Sequence, residues 1–477
     1  RLTRAYLERI AALDRAGPRL RAVLELNPDA IRDAEARDRE RRQGHLRGPL
    51  HGIPVLIKDN IGARPMATTA GSLALEGFRP PDAFIVQRLR DAGAVILGKT
   101  NLSEWANYRD PDGIAGWSAR GGQTRNPYRL NRSPCGSSSG SAVAVSANLA
   151  AAAVGTETDG SIVCPSAVNG IVGLKPTVGL LSRSGIIPVS HSQDTPGPMA
   201  RSVADVAILL TAMAGRDDED PATAAMPGRA VYDYAARLAR PQSLRGARLG
   251  LLHTPMDRDP AVAAVLARAV KELRDAGAIV VPVQPPAEAG WRSAEALVLR
   301  YEFKAGLERY LGAHAAPRLR LAELMAFNTD NADRELPLFG QRLFEDAEAT
   351  GPLSSPEYIS ARTQARRAAG RDGIDALLEA DRLDALIAPT TGTAWPIDPA
   401  DGQGFAGGSY SIAAVAGYPS LSVPMGRVDG LPLGLLFMGP AWSEPRLLEL
   451  GHAYEQRTHA RRPPLFETER PLPGGTD

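Results

Sequence analysis

The alternation of short, continuously apolar runs with amphipathic ones constrains this chain more than any other feature. PVLIK (54–58) gives way to FIVQRLRDAG (84–93) and then to AVILG (94–98), and the same rhythm returns as RLGLL (248–252), a helical run over 260–276 and AIVVPV (278–283). A strand covered on both sides reads as an unbroken apolar run, and a surface helix as a stripe of period 3.6. The succession therefore predicts βαβ units, in which parallel strands are covered by helices, and places the chain in the α/β class. ALIAPT (385–390), SLSVPMG (420–426) and LGLLFMG (433–439), followed by the helical EPRLLELGHAYEQ (444–456), extend the same sheet.

Around this alternation lie segments of other character. Leu2, Leu7, Ile10 and Leu13 give a helical stripe, and Asp29 opens a second helix, AIRDAEARDRERRQ, too polar to be core. Ser202 is placed to cap the helix SVADVAILLTAMAG, which ends at Gly215. Residues 216–245 read as a surface excursion, and roughly 288–380 as a mostly helical insertion on the substrate side. The Pro/Gly-rich tail after Arg461 is expected to be poorly ordered.

Charge and cysteine content exclude several function classes. Lys and Arg number 55 against 54 Asp and Glu, a net charge of +1, so no field is left over to attract nucleic acid or an anionic membrane. The longest small-apolar run, Ala142 to Val154, is broken by Ser146 and Asn148 and falls short of the roughly 18 residues a membrane helix needs. Cys135 and Cys164 are the only cysteines. They supply neither a disulfide scaffold nor a four-cysteine metal site and read as buried small residues. A monomer or homodimer in the cytoplasm is the expectation, with a removed signal peptide left open because the chain opens at Arg1 without an apolar leader. Only five lysines stand in this arginine-rich background (Lys58, Lys99, Lys175, Lys271 and Lys304). A buried lysine can lose its proton and act as a base, whereas arginine cannot.

The chemistry is concentrated in Pro134 to Pro165, PCGSSSGSAVAVSANLAAAAVGTETDGSIVCP, where a Gly/Ser loop, a small-residue helix and a second Gly-bearing turn deliver a serine. Gly136, Ser138 and Gly140 match G-x-S-x-G, but a nucleophile elbow needs a buried strand running into its serine. The preceding TRNPYRLNRSP is polar, holds two prolines and predicts no such strand.

Four blocks, GIPVLIKDNI (52–61), CGSSSGSA (135–142), GTETDGSIVCP (155–165) and GLKPTVGLLS (173–182), resemble the amidase signature family in order, spacing and local sequence, and the resemblance continues through DTPGPMARSVADVA (194–207). It implies one domain over 1–477 with its signature core at about 50–210: a large twisted mixed β-sheet covered on both faces by α-helices. It also implies a catalytic triad of Lys58, Ser137 on a cis peptide bond and the nucleophile Ser161, with no metal or organic cofactor. GTETDGSIVCP, TTAGSLALEG (68–77) and the stretch 101–127 look like bacterial peptide amidases, which implies C-terminal peptide amides as substrates. The competing readings are the A subunit of a tRNA-dependent amidotransferase, a broad aryl or aliphatic amidase, and a non-catalytic protein of the same fold.

The residues meet what this chemistry requires. A serine hydroxyl is a poor nucleophile until a base takes its proton, and His51, His191 and His253 lie in three separate segments. Lys58 ends an apolar run, where desolvation lowers an amine's pKa toward neutrality. Taken alone it also reads as a salt-bridge partner, and Ser137 as a loop serine making turn bonds. Backbone N–H groups of Thr158, Asp159, Gly160 and Ser161 are expected to converge on an oxyanion. Ser138 and Trp117 are candidate substrate contacts, although Trp105 and Trp117 also read as scaffold aromatics. Where GTDxGGSIR is usual in the family, this chain has Glu157, Asp159 and Val163. Asp159 is expected to need a backbone that glycine adopts more freely, and the loss of Arg at 163 to remove an ion pair that Glu157 adjusts to.

Overall fold

The strands that carry the fold are Val23–Leu26 (β1), Pro54–Lys58 (β2), Val95–Thr100 (β3), Trp117–Ser118 (β4), Gly122–Gln123 (β5), Ala152–Glu157 (β6), Val172–Lys175 (β7), Thr195–Ala200 (β8), Arg248–Leu252 (β9), Ile279–Val283 (β10), Ala385–Pro389 (β11), Ser420–Val428 (β12) and Leu431–Met438 (β13). The computed structural model describes every residue except 229–232, 241–242, 287–289, 315–318, 398–403, 406 and 468–477. Among the described residues, eleven strands join in one sheet, ordered β1-β3-β2-β6-β8-β7-β12-β13-β11-β9-β10, while β4 and β5 form a separate ribbon.

The sheet is mixed. β2 pairs parallel with β3 and β6, and β9 parallel with β10 and β11, as the βαβ rhythm predicts. β6, β8, β7, β12, β13 and β11 are successively antiparallel. Side chains alternate across the sheet as a period of two requires. Val55, Ile57, Ile387, Leu435 and Phe437 enter one core with the helices Phe84–Asp91, Val203–Met213, Pro260–Asp275 and Glu444–Thr458. Leu56 and Ala153 face the opposite side, packing with the helix Ser139–Ser146, and Leu386 and Leu436 pack there with the helical section after residue 290.

Expected elements that appear within a residue or two are β2, β9 and the helix Pro260–Asp275; Ser202 caps its helix by accepting from Asp205 N. β1, β6, β7 and β8 were not legible. β8 reads TPGPMA, yet it lies between β6 and β7. Its prolines are accommodated because β7 pairs with it at Met199 and Ala200, past both of them. The tail is better held than expected up to Glu467: Phe466 N donates to Pro127 O at 3.0 Å and Leu130 N to Glu467 O at 3.1 Å. Its remainder lies outside the described residues. Among the described residues no helix is long and apolar enough to cross a membrane.

Candidate active site

β2 and β6 are parallel neighbours, with Ile57 opposite Val154. Lys58 and the turn after Glu157 therefore leave the sheet at the same edge. The helix Ser139–Ser146 runs back across the sheet before β6 begins, which returns its N-terminus, and with it Ser137 and Ser138, to that edge. Two hydrogen bonds fix the return: Ser138 Oγ donates to Thr156 O at 3.0 Å and accepts from Thr156 N at 3.2 Å. Ser138 N donates to Ser161 O at 3.0 Å, and Ser103 N to Ser137 O at 3.1 Å. The Gly136–Ser137 peptide bond is cis.

Two of the three sequence-predicted residues touch here through their side chains, Lys58 and Ser137, while Ser161 is tied to the same loop by its main chain, its carbonyl accepting from Ser138 N. Lys58 Nζ lies 2.7 Å from Ser137 Oγ, 2.8 Å from Thr156 Oγ1 and 3.1 Å from Thr156 O. Lys58 and Ser137 are 0% exposed and Ser161 7%, so the nucleophile candidate is the most accessible of the three. Burial lowers the Lys58 amine from its ordinary value to about 7, against the opposing pull of Asp194 and Glu157. Lys99 and Lys175 are buried too, and each is lowered only to about 8. The Lys99 amine is held by Ile61 O, Ala67 O and Thr68 Oγ1, with Asp59 at 3.6 Å. Lys58 differs in having a serine hydroxyl as a direct partner. The histidines are engaged elsewhere: His51 with Arg37 O, His191 with Glu302, and His253 with Asp257.

The turn carrying Ser161 corrects two expectations. Its left-handed residue is Gly160, at φ 79°, and a Cβ there would lie 2.1 Å from the Tyr410 ring. Asp159 is not among the positive-φ residues, so it needs no glycine-like backbone. Its carboxyl is instead buried beside Ser411, Glu157 and Glu295, and burial raises its pKa to about 6. Glu157 does not await an arginine at 163: its Oε2 accepts from Ile162 N at 2.7 Å and Val163 N at 3.0 Å, and Lys175 is the cation that opposes its burial. Gln193 braces the turn by donating to Thr158 O at 3.2 Å and to Glu295 at 3.0 Å, and Thr158 Oγ1 donates to Asp194 at 2.6 Å.

The two substrate-contact candidates sit differently. The Ser138 hydroxyl is fully buried and engaged with Thr156. Trp117 is packed edge-on to Phe339 at 5.2 Å with the Arg109 guanidinium over it, and Trp105 against Phe344 at 5.6 Å. Both rings are buried scaffold.

Sequence reasoning missed a covalent tie. Cys135 and Cys164 form a disulfide, with Cα atoms 6.1 Å apart and a sequence separation of 29, where two unconnected buried cysteines were expected. It joins the loop before Ser137 to the helix after Ser161. Closing a loop of this length removes roughly 3 to 4 kcal/mol of chain entropy from the unfolded state. The Cys135→Ala/Cys164→Ala double variant is expected to lose about 3 kcal/mol of unfolding free energy in a urea titration. Denatured, unreduced protein is expected to show no titratable thiol.

With this geometry in place, comparison with known proteins is informative. The profile of the family described as Amidase matches residues 1–448. The crystal structure of native peptide amidase from Stenotrophomonas maltophilia is similar at 69% identity and a TM-score of 0.95, over 98% of this chain and 95% of that one. A probable amidase of Arabidopsis thaliana is 41% identical over 98% of this chain and 88% of its own length. The A subunit of the glutamyl-tRNA(Gln) amidotransferase of Pseudomonas syringae pv. syringae is 38% identical over 98% of this chain and 95% of its own length.

Proposed function

We propose, for a chain that belongs to the amidase family and is an amide-hydrolysing enzyme, that its substrates are peptides ending in a carboxamide, cleaved to the free acid and ammonia. The single observation that carries the mechanism is the buried Lys58 amine 2.7 Å from the Ser137 hydroxyl, on a loop hydrogen-bonded to the Ser161 backbone. The choice of substrate rests on the likeness to the Stenotrophomonas peptide amidase.

In this reading Ser161 Oγ attacks the carboxamide carbon while its proton passes through Ser137 to neutral Lys58. The oxyanion is assigned to backbone N–H groups of Thr158, Asp159 and Ser161, each worth on the order of 3 kcal/mol to the transition state; the Gly160 N–H, expected to join them, is instead directed at Glu157. Return of the proton along the same path expels ammonia and leaves an acyl-enzyme, which water hydrolyses by the same relay. The helical section after residue 290 supplies the substrate side. In support, its Glu295 reaches Gln193, and its Glu302 accepts from Ser190 Oγ, Ser192 N and Ser192 Oγ. The disulfide supports an oxidising compartment over the cytoplasm.

An ammonia-release screen over peptide amides, aryl amides and short aliphatic amides tests the substrate. Ammonia from peptide amides, with internal bonds intact by mass spectrometry, is the expected result; turnover confined to the other two classes overturns it. The 38% identity to the A subunit of an amidotransferase favours a second reading, in which the chain works within a complex. Turnover by the isolated chain sets that aside.

A further inference from the structure

Asn60 follows Lys58 by two residues, is 3% exposed, and touches the base only through a second residue. Its Nδ2 lies 3.0 Å from Thr156 Oγ1 and 3.5 Å from Ile187 O, while its Oδ1 is buried without a hydrogen-bond partner. A carbonyl oxygen can only accept, so the Ile187 side fixes which end of the amide is the donor. An orphaned buried acceptor costs about 1 to 3 kcal/mol and asks for a reason.

Counting hydrogens gives one. Three oxygens surround Lys58 Nζ, and Thr156 provides two of them, its carbonyl and its hydroxyl. With Asn60 donating to Thr156 Oγ1, the hydroxyl's own proton needs an acceptor. The lone pair of a neutral Lys58 amine is one, at 2.8 Å. An ammonium has no lone pair: it would be a second donor to the Thr156 oxygen, which can accept both, but it would strand the hydroxyl proton in a buried site. Rotation about the Cε–Nζ bond then brings the lone pair from Thr156 to Ser137 when the proton is to move.

We propose that Asn60, acting through the Thr156 hydroxyl, is a positioning residue that keeps Lys58 in the form able to take a proton from Ser137. The charged groups facing Lys58 act the other way. Asp194, which Thr158 Oγ1 and the Val189 and Ser190 N–H groups hold, and Glu157 on β6 both favour the ammonium. Asp59, next in the chain, is turned to Lys99 and Arg120 at 3.6 and 3.5 Å. Burial and the Asn60 donor are thus what oppose two carboxyl groups.

The inference rests on Lys58 being the base, and the test separates the two. The pH profile of kcat/KM for ammonia release from a peptide amide is measured for wild type, Asn60→Asp, Asn60→Ala, Thr156→Val and the Asn60→Ala/Thr156→Val pair, each checked by thermal melting. Asn60→Asp puts an acceptor and a negative charge where a donor stood, and is expected to raise the acid limb by about one to three pH units. Asn60→Ala is expected to raise it by less, with kcat lowered and KM little changed, and to add nothing once Thr156 is valine. Acid limbs unchanged in both Asn60 variants, or additive effects in the pair, overturn the inference. Should Asn60→Asp fail to fold, Asn60→Ala decides alone. Undiminished activity in Lys58→Ala would instead overturn the reading beneath it.

Discussion

Replacing Ser161 by alanine is expected to lower the rate of ammonia release by about a million-fold while leaving the melting temperature unchanged. The hydroxyl is the only atom in the proposed path that bonds to the substrate carbon, so no neighbour replaces it. Ser137 is fully buried and Ser138 is engaged with Thr156. Removing one oxygen from a residue 7% exposed leaves the Ser138 N to Ser161 O bond of the main chain intact. Single-turnover ammonia assays and labelling by a fluorophosphonate probe check the result. Ammonia release near the wild-type rate from Ser161→Ala would sink the assignment.

The second large effect concerns the base. Lys58→Met is expected to cost about ten-thousand-fold in kcat, the upper range for a lost general acid-base group. Methionine matches the length of the lysine stem and needs no solvation in a fully buried site, so a loss of activity without a loss of stability is the anticipated pattern. The sign of the pH dependence follows from the role. A base works deprotonated, so wild-type kcat/KM rises with pH through about 7, where burial has brought the amine, and levels off above it. In Lys58→Met the residual rate is expected to lose that acid limb. A limb that persists near 7 in the variant would assign the titration to another group.

What could be read in advance, and what could not, follows from how each feature is encoded. Lys58 ends a continuous apolar run and Ser161 was placed by the resemblance of its block GTETDGSIVCP, while the α/β architecture is carried by apolar runs such as PVLIK and RLGLL that need no partner to be recognised. β6 and β8 escape because AAVGTE and TPGPMA are poor strand formers by propensity; their conformation is imposed by pairing with each other, a tertiary effect. The Cys135 to Cys164 bond escapes for a similar reason: spacing alone does not say that a loop and a helix meet. Asn60 and Thr156 were visible only as motif letters, since their bearing on Lys58 depends on which end of an amide faces a hydroxyl. Asp159 misled because a departure from glycine was read as a backbone event, when the left-handed position is its neighbour Gly160.

Adjacency of β2 and β6 has a practical corollary for redesign. The strand that ends in Lys58 and the strand that leads into the Ser161 turn are held as interior neighbours by main-chain ladder bonds, a spacing of about 4.8 Å that side-chain exchange elsewhere leaves alone. Libraries that aim to widen the range of accepted acyl groups belong in the helices between Arg292 and Ala380, at positions that leave Glu295 and Glu302 in place, because these two hold Gln193 and the 190–192 segment beside the Ser161 turn.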